Sequence, residues 1–128
     1  MHRNKIENLI KMDAEDRYRY FLRKVADYEE VWGLKGANGW LTVDACDHGR
    51  IGVPLWPEKE FAVVNCVGEW ARANPEKIEL SVFIERWIPG LIRDNRVISV
   101  FPVVAGKSVH VDPRLFLSEI EKEMDQYE

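Results

Sequence analysis

The sequence predicts an α+β fold with one antiparallel sheet of about five strands and helices mainly on one side of it. Three observations support this prediction. Several stretches repeat apolar residues at helical spacing, others are rich in β-forming residues and are joined by turn residues, and the two kinds alternate without a linker or an internal repeat. This pattern favours a sheet covered by helices.

Length and composition indicate an ordinary globular chain. Its 128 residues are 46% hydrophobic and 31% charged, which suits a single domain. We predict one domain over residues 1–128, with 1–11 as an N-terminal extension and 12–128 as the core. A formal net charge of −4 gives no general attraction to phosphate backbones or anionic lipid, so neither a nucleic-acid nor a membrane partner is expected. Charged residues interrupt the N-terminal segment where a secretory signal would be apolar, which predicts a cytoplasmic protein.

The first long helix is expected from Ala14 to Tyr28, with Asp13 as its N-cap and Asp16 at the third helical position. Val31 to Lys35 and Trp40 to Asp44 should form a hairpin around a glycine-containing turn. In that hairpin, the two tryptophans on either side of the turn, Trp32 and Trp40, are expected to meet.

The stretch from Arg50 to Pro57 should add a third strand and complete an antiparallel meander. Since Pro54 cannot donate a ladder hydrogen bond, we expect an edge strand or a bulge there. A helix should follow Pro57 and end before Asn74. A second helix should begin near Leu80 and kink or end at Pro89.

A second hairpin is predicted from Val97 to Val103 and from Ser108 to Val111, followed by a closing helix with Asp112 as N-cap and Pro113 in its first turn. The closing segment, 112–128, has six acidic and two basic residues, whereas 1–24 has seven basic and four acidic residues. The two end helices are therefore expected to pack together in one molecule or to pair between molecules, and a homo-oligomer is one alternative.

Several ordered motifs resemble a known family. The chain carries Val53-Pro-Leu-Trp-Pro57 and Phe83-Ile-Glu-Arg-Trp-Ile-Pro-Gly-Leu91, with further similar stretches at 17–27, 31–35, 39–40, 68–70 and 97–102. These resemble the bacterial family catalogued as domain of unknown function 2750, over about residue 17 to the C-terminus. The resemblance implies no activity, and it supplies no catalytic residue.

Chemistry-bearing residues give only weak patterns. Asp44, Asp47 and His48 lie close together and resemble metal ligands or an acid/base group, with Arg50 nearby for an anion. Aspartate, histidine and glycine are also typical turn residues, and we favour that interpretation. Cys46 and Cys66 do not have metal-site spacing and are expected to be reduced thiols. No catalytic residue, metal or cofactor is predicted.

The tryptophans give the strongest functional indication, because large aromatic side chains are favoured both in cores and at interaction hot spots. There are five in this chain. We predict a groove in which Trp40 or Trp56, rimmed by Arg50, holds a peptide or a planar ligand. The predicted function is therefore a non-catalytic protein- or peptide-binding module. The alternative is a small hydrolase- or transferase-like enzyme around the Asp47-His48 turn, and a nucleic-acid module resting on the basic first helix ranks third.

Overall fold

The structure of the chain is a computed structural model. It describes residue 8 and residues 11–44, 49–102 and 109–126. The predicted N-terminal extension therefore lies almost wholly outside the described residues. The same is true of the Asp47-His48 turn, Cys46 and the turn of the second hairpin.

Four helices and seven strands make up the described part of the chain. The helices are α1 (Ala14–Tyr28), α2 (Lys59–Val64), α3, which joins the segments Leu80–Val82, Phe83–Trp87 and Ile88–Arg93, and α4 (Pro113–Asp125). A short 3-10 turn covers Gly68–Trp70. The strands are β1 (Glu30–Gly36), β2 (Gly39–Trp40), β3 (Val43–Asp44), β4 (Ile51–Leu55), β5 (Asn74–Glu79), β6 (Val97–Val100) and β7 (Val109–Val111).

These strands form two sheets, so the α+β class is confirmed while the single five-stranded sheet is not. The first sheet is antiparallel and has the order β2-β1-β5. The second has the order β3-β4-β6-β7 and contains one parallel pair, β4 with β6. A parallel pair needs a long crossover connection. Here the connection between β4 and β6 contains α2, β5 and α3.

The first hairpin forms with a shorter second strand than predicted, and the expected contact between its tryptophans is wrong. Strand β2 ends at Trp40, and Val43–Asp44 forms β3, which pairs with β4 in the second sheet, so the predicted three-stranded meander is not present. Lys35 of β1 lies opposite Trp40 of β2, and side chains alternate between faces along a strand. The Trp32 side chain therefore projects to the other face. The Trp32 backbone pairs with that of Trp56 through two hydrogen bonds of 2.9 and 2.8 Å. This bridge joins the two sheets.

Pro54 lies in an interior strand rather than at an edge. Backbone groups of successive residues point to opposite sides of a strand. The carbonyl of Leu55 accepts a hydrogen bond from Phe101 on the β6 side, whereas Trp56 pairs with Trp32 on the opposite side. The Pro54 nitrogen thus points toward the gap between the two-residue β3 and the Trp32 bridge, where no ladder hydrogen bond is needed.

The helix predicted after Pro57 is shorter than expected, and β5 was not anticipated. Helix α2 ends at Val64, and the chain then forms the Gly68–Trp70 turn before entering β5. Of the six β5 residues only Ile78 is buried. A charged edge strand with one buried side chain lacks the apolar alternation that marks a strand in sequence.

The helix predicted to kink or end at Pro89 does not end there, because it continues through a π-helical turn that precedes the proline. Over Phe83–Trp87 the hydrogen bonds reach one residue further than in an α-helix, and the Ile88 amide donates to the Phe83 carbonyl. A wider turn makes room for the proline ring. It also accommodates the loss of the helical hydrogen bond that proline, which has no N–H, cannot donate. The helix therefore continues to Arg93.

One hydrophobic core extends through both sheets and all four helices. Its largest fully buried side chains are Trp56, Phe21, Phe83, Phe101 and Phe116. Helices α1 and α4 pack together within the chain: the rings of Phe21 and Phe116 are 6.0 Å apart. The Tyr18 hydroxyl also donates to Glu119 at 2.6 Å. The intramolecular alternative for the end helices is therefore confirmed.

Candidate functional site

The strongest candidate site is a concavity between the β1–β2 hairpin and α3. It has a volume of about 430 Å³, which is within the range of small-molecule and peptide side-chain pockets. We call it the Trp40–Trp87 groove. Its walls include Trp40, Thr42, Val53, Arg86, Trp87 and Arg96.

Two half-buried indoles form one wall of this groove. Their ring centroids are 4.9 Å apart and their planes are inclined by 80°, an edge-to-face arrangement that aromatic pairs prefer. Trp40 lies across Gly33, where a β-carbon would come within 3.0 Å of its ring. Trp87 also stacks on the buried Phe83 at 5.7 Å. Each indole thus packs against the protein on one side, while part of its ring remains exposed.

The elements that hold these side chains explain why they meet. The π-helical turn places Arg86 and Trp87 at its end, and Arg96 lies in the short connection between α3 and β6. Asn95, in the same connection, has a φ of 56°, a left-handed conformation that asparagine tolerates better than most residues.

Of the three predicted site residues, Trp40 alone contributes directly to the groove wall. Arg50 lies behind it: its Nε donates to the Asn95 carbonyl at 3.2 Å, and its Nη2 is 3.4 Å from both the Arg96 carbonyl and Asp112 Oδ2. Arg50 therefore fixes the connection that carries Arg96. Its side chain is only 18% exposed, so most of it is not at the surface.

Trp56 is a core residue, and the expectation that it rims an exposed groove is wrong. Its side chain is completely buried, and its indole N–H donates to the Pro102 carbonyl at 2.9 Å. It also packs edge-to-face against Trp70 at 6.1 Å. Periodicity could not reveal this, because the burial of Trp56 depends on the distant Pro102 and Trp70.

Sequence reasoning did not single out Arg86, Trp87 or Arg96 as site residues. A signal was nevertheless present, since Arg86 and Trp87 belong to the Phe83–Leu91 motif that carries the family resemblance. Gly90 and Leu91 of the same motif also line the groove, as does Val53 of the Val53–Pro57 motif. Three of the resembling stretches, 39–40, 53–57 and 83–91, therefore contribute to one site.

A second concavity of about 400 Å³ lies beside β3 and brings together Asp44 and Glu69, with Val67 and Trp70. Asp44 belongs to the predicted acid/base group, but Asp47 and His48 lie outside the described residues. Arg50, the expected anion ligand, is not among the residues that line this concavity.

Neither of the remaining candidates forms a reactive group. Cys66 Sγ lies 3.5 and 3.6 Å from the carbonyl oxygens of Ala62 and Ala73, and burial raises the pKa of the Cys66 thiol. A neutral thiol is a poor nucleophile. His110 is exposed, and its Nδ1 is 2.9 Å from Oγ of the buried Ser99.

The described residues also bear on metal binding and on membrane spanning. Within the described ranges, no three His, Cys, Asp or Glu side chains are grouped closely enough to hold a metal ion. In the same part of the chain, no helix combines the length and the apolar character needed to cross a bilayer.

Comparison with known proteins identifies a family. No curated protein matches the sequence significantly. Residues 18–120 match the family model described as Protein of unknown function (DUF2750). This match covers most of the 128 residues, including both indoles and both arginines of the Trp40–Trp87 groove. The chain therefore belongs to the DUF2750 family, as the ordered tryptophan and proline motifs of its sequence indicate.

Proposed function

We propose that this chain is a non-catalytic binding module of the bacterial cytoplasm, which holds a segment of a protein or peptide in the Trp40–Trp87 groove. The observation that carries the proposal is the accessible edge-to-face pair of indoles at the wall of a 430 Å³ concavity. Tryptophan and arginine are the residues most enriched at interaction hot spots. The groove offers both types side by side.

The side chains around the groove suit binding better than catalysis. Besides the indoles and two arginines, the described lining residues are Asn38, Thr42, Val53, Gly90, Leu91 and Asp94. Among these described side chains no hydroxyl or thiol is hydrogen-bonded to a base, the pairing on which covalent catalysis relies. Asp94 forms a salt bridge with Arg93, in which Nε of Arg93 is 3.3 Å from Oδ1 of Asp94.

A peptide-binding assay tests the proposal. The fluorescence polarisation of a labelled peptide library of mixed composition would be measured against the full chain. We expect saturable binding of a subset of peptides, and we expect Trp87→Leu to weaken it about thirtyfold, equivalent to ~2 kcal/mol, as for a hot-spot residue.

The matched control for this assay is Trp70→Leu. Trp70 is also half-buried and also belongs to an aromatic pair, but it does not line the groove. Circular dichroism would establish that both variants fold. The proposal fails if no peptide binds saturably, or if Trp70→Leu weakens binding as much as Trp87→Leu.

A small hydrolase- or transferase-like enzyme is the alternative function. It is supported by Asp44 and Glu69, whose carboxylates share the concavity beside β3, since paired carboxylates in a concave site serve acid–base chemistry. Ester, amide and phosphate-ester substrates would be screened with the wild type and with an Asp44→Asn, Glu69→Gln double variant. Turnover that disappears in this variant would favour the enzyme over the binding module.

A further inference from the structure

We propose that the segment bound in the Trp40–Trp87 groove is acidic. In this arrangement an Asp or Glu carboxylate of the ligand binds Arg86 and Arg96, while a neighbouring apolar or aromatic side chain packs against Trp40 and Trp87. This inference rests on the proposed function and specifies the chemistry of its ligand.

The charge of the groove supports an anionic ligand. Within the described part of the chain, the guanidinium groups of Arg86 and Arg96 form no salt bridge and no hydrogen bond. Asp94 is the single carboxylate among the described lining residues, and it is paired with Arg93. The groove therefore carries a local excess of positive charge in a chain whose formal net charge is −4.

The backbone that carries Arg96 is fixed before a ligand arrives. The Arg50 guanidinium donates to the carbonyls of Asn95 and Arg96 and also contacts Asp112 at the start of α4. A connection held in this way loses little conformational freedom on binding, which favours affinity. Arg50 thus acts as a positioning residue for the site, although it does not line the groove.

The indoles add a requirement for an apolar group next to the carboxylate. Trp40 and Trp87 present aromatic surface within the same concavity as the two arginines. Lys35 extends the positive charge at this wall, because its Nζ lies 5.6 Å from the centre of the Trp40 ring. A ligand with only charge would leave this aromatic surface exposed to water.

An acidic peptide fits these features better than a nucleic acid does. Guanidinium groups bind carboxylates and phosphates alike through charge-assisted, often bidentate hydrogen bonds. A polyphosphate backbone, however, is bound mainly through long-range positive charge, and this chain is acidic overall. A carboxylate beside an aromatic residue matches both halves of the groove.

The test compares four fluorescein-labelled probes by fluorescence polarisation with the full chain. The first is a set of short peptides with a central tryptophan and glutamates at varied positions around it. The second and third replace every glutamate with glutamine or with lysine, and the fourth is a short single-stranded DNA. We expect the acidic set to bind at least tenfold more tightly than the glutamine set, a difference of ~1.4 kcal/mol.

Variants of the arginines complete the experiment. Arg86→Gln and Arg96→Gln should each weaken binding of the acidic peptides about tenfold, while binding of the glutamine peptides stays the same. Arg72→Gln is the matched control, because Arg72 is exposed and does not line the groove, and it should leave binding unchanged. Circular dichroism would confirm that each variant is folded.

The possible outcomes separate the two proposals. Equal affinity for acidic and glutamine peptides, or no effect of either groove arginine, would overturn the acidic ligand but leave the peptide-binding function standing. Binding of DNA in preference to every peptide would overturn the acidic ligand in favour of a polyanion. If no peptide of any charge binds, both the proposed function and this inference fail.

Discussion

The roles of individual tryptophans in this chain depend on what surrounds each indole rather than on its place in the sequence. Trp56 is fully buried with its N–H bonded to Pro102, whereas Trp40 lies at the surface of the groove because Gly33 leaves space behind it. A side chain at position 33 would occupy that space. The shape of the groove thus depends on the absence of a β-carbon at position 33.

The prediction at this scale concerns Gly33→Ala. A β-carbon there would come within 3.0 Å of Cζ3 of Trp40, so the indole must shift and its geometry relative to Trp87 must change. We expect the free energy of unfolding to fall by about 1–3 kcal/mol, the usual effect of overpacking. The near-ultraviolet circular dichroism signal of the coupled indoles should also fall.

Gly90→Ala is the control for this variant. A β-carbon at Gly90 would lie 3.7 Å from its nearest neighbour, an ordinary contact, and alanine favours a helix by about 1 kcal/mol over glycine. This change should leave the protein as stable or more stable. A Gly33→Ala protein with unchanged stability and an unchanged aromatic spectrum would contradict the proposed support of Trp40.

At the scale of elements, the helix starts are decided locally. Asp13 Oδ1 accepts a hydrogen bond from the Asp16 amide at 2.8 Å, as the sequence predicted for α1. Asp112 caps α4 in the same manner by accepting from the Arg114 amide at 2.8 Å, and Pro113 occupies the first turn. A cap requires only a few consecutive residues, so its pattern is visible in the chain.

The second prediction concerns the Asp112 cap and its dependence on pH. Burial alone would raise the pKa of Asp112, but the hydrogen bonds from the Arg114 amide and the Arg50 guanidinium lower it below its usual value of 3.8. The charged carboxylate therefore stabilises the fold above that value, and the contribution is lost as pH falls through the lowered pKa.

We expect Asp112→Ala to reduce the free energy of unfolding by about 1–2 kcal/mol at neutral pH, as loss of a helix cap usually does. Urea denaturation at neutral pH and at successively lower pH values below 3.8 would measure the difference from the wild type. That difference should shrink in acid. Asp112→Asn, which keeps a capping oxygen without the charge, should lose less at neutral pH. A difference that is independent of pH would contradict the role given to the charge.

At the scale of the whole molecule, the closing helix completes the core that begins with the first helix. Phe116 is fully buried, lies 6.0 Å from Phe21 of α1 and meets Phe83 of α3 edge-to-face at 5.6 Å. Residues far apart in the chain therefore depend on one another. This arrangement supports the prediction that the chain unfolds as a single domain.

The third prediction tests that cooperativity with Phe116→Ala. Truncation of a buried phenylalanine typically costs about 3–5 kcal/mol, and the loss should be shared by the whole molecule. Urea unfolding followed by far-ultraviolet circular dichroism and by tryptophan fluorescence should give coincident transitions in both proteins.

Leu115→Ala provides the control, because the neighbouring Leu115 is 54% exposed and should change stability by no more than about 0.5 kcal/mol. Two separate transitions in the wild type would show that the sheets unfold independently. The prediction of a single domain over residues 1–128 would then be wrong.

The sequence alone determined features whose causes are local. The bounds and the N-cap of α1, the β1–β2 hairpin, the antiparallel pair β6 and β7, and the start of α4 all follow from spacing, capping and turn residues within short stretches. The α+β class and the family motifs were accessible for the same reason. Trp40, which follows directly from the hairpin turn, lines a concavity, and its role in binding stays a prediction.

Only the tertiary structure decided how these pieces are joined. The parallel pairing of β4 with β6, the bridge between Trp32 and Trp56 and the addition of β5 to the first sheet connect residues that are far apart in the chain. The same holds for the groove, where Trp40 meets Trp87 and Arg50 supports the backbone of Arg96. Local patterns determine which faces of the helices and strands are apolar. An apolar face can pack against many different surfaces, however, and which one it contacts depends on the packing of the entire core.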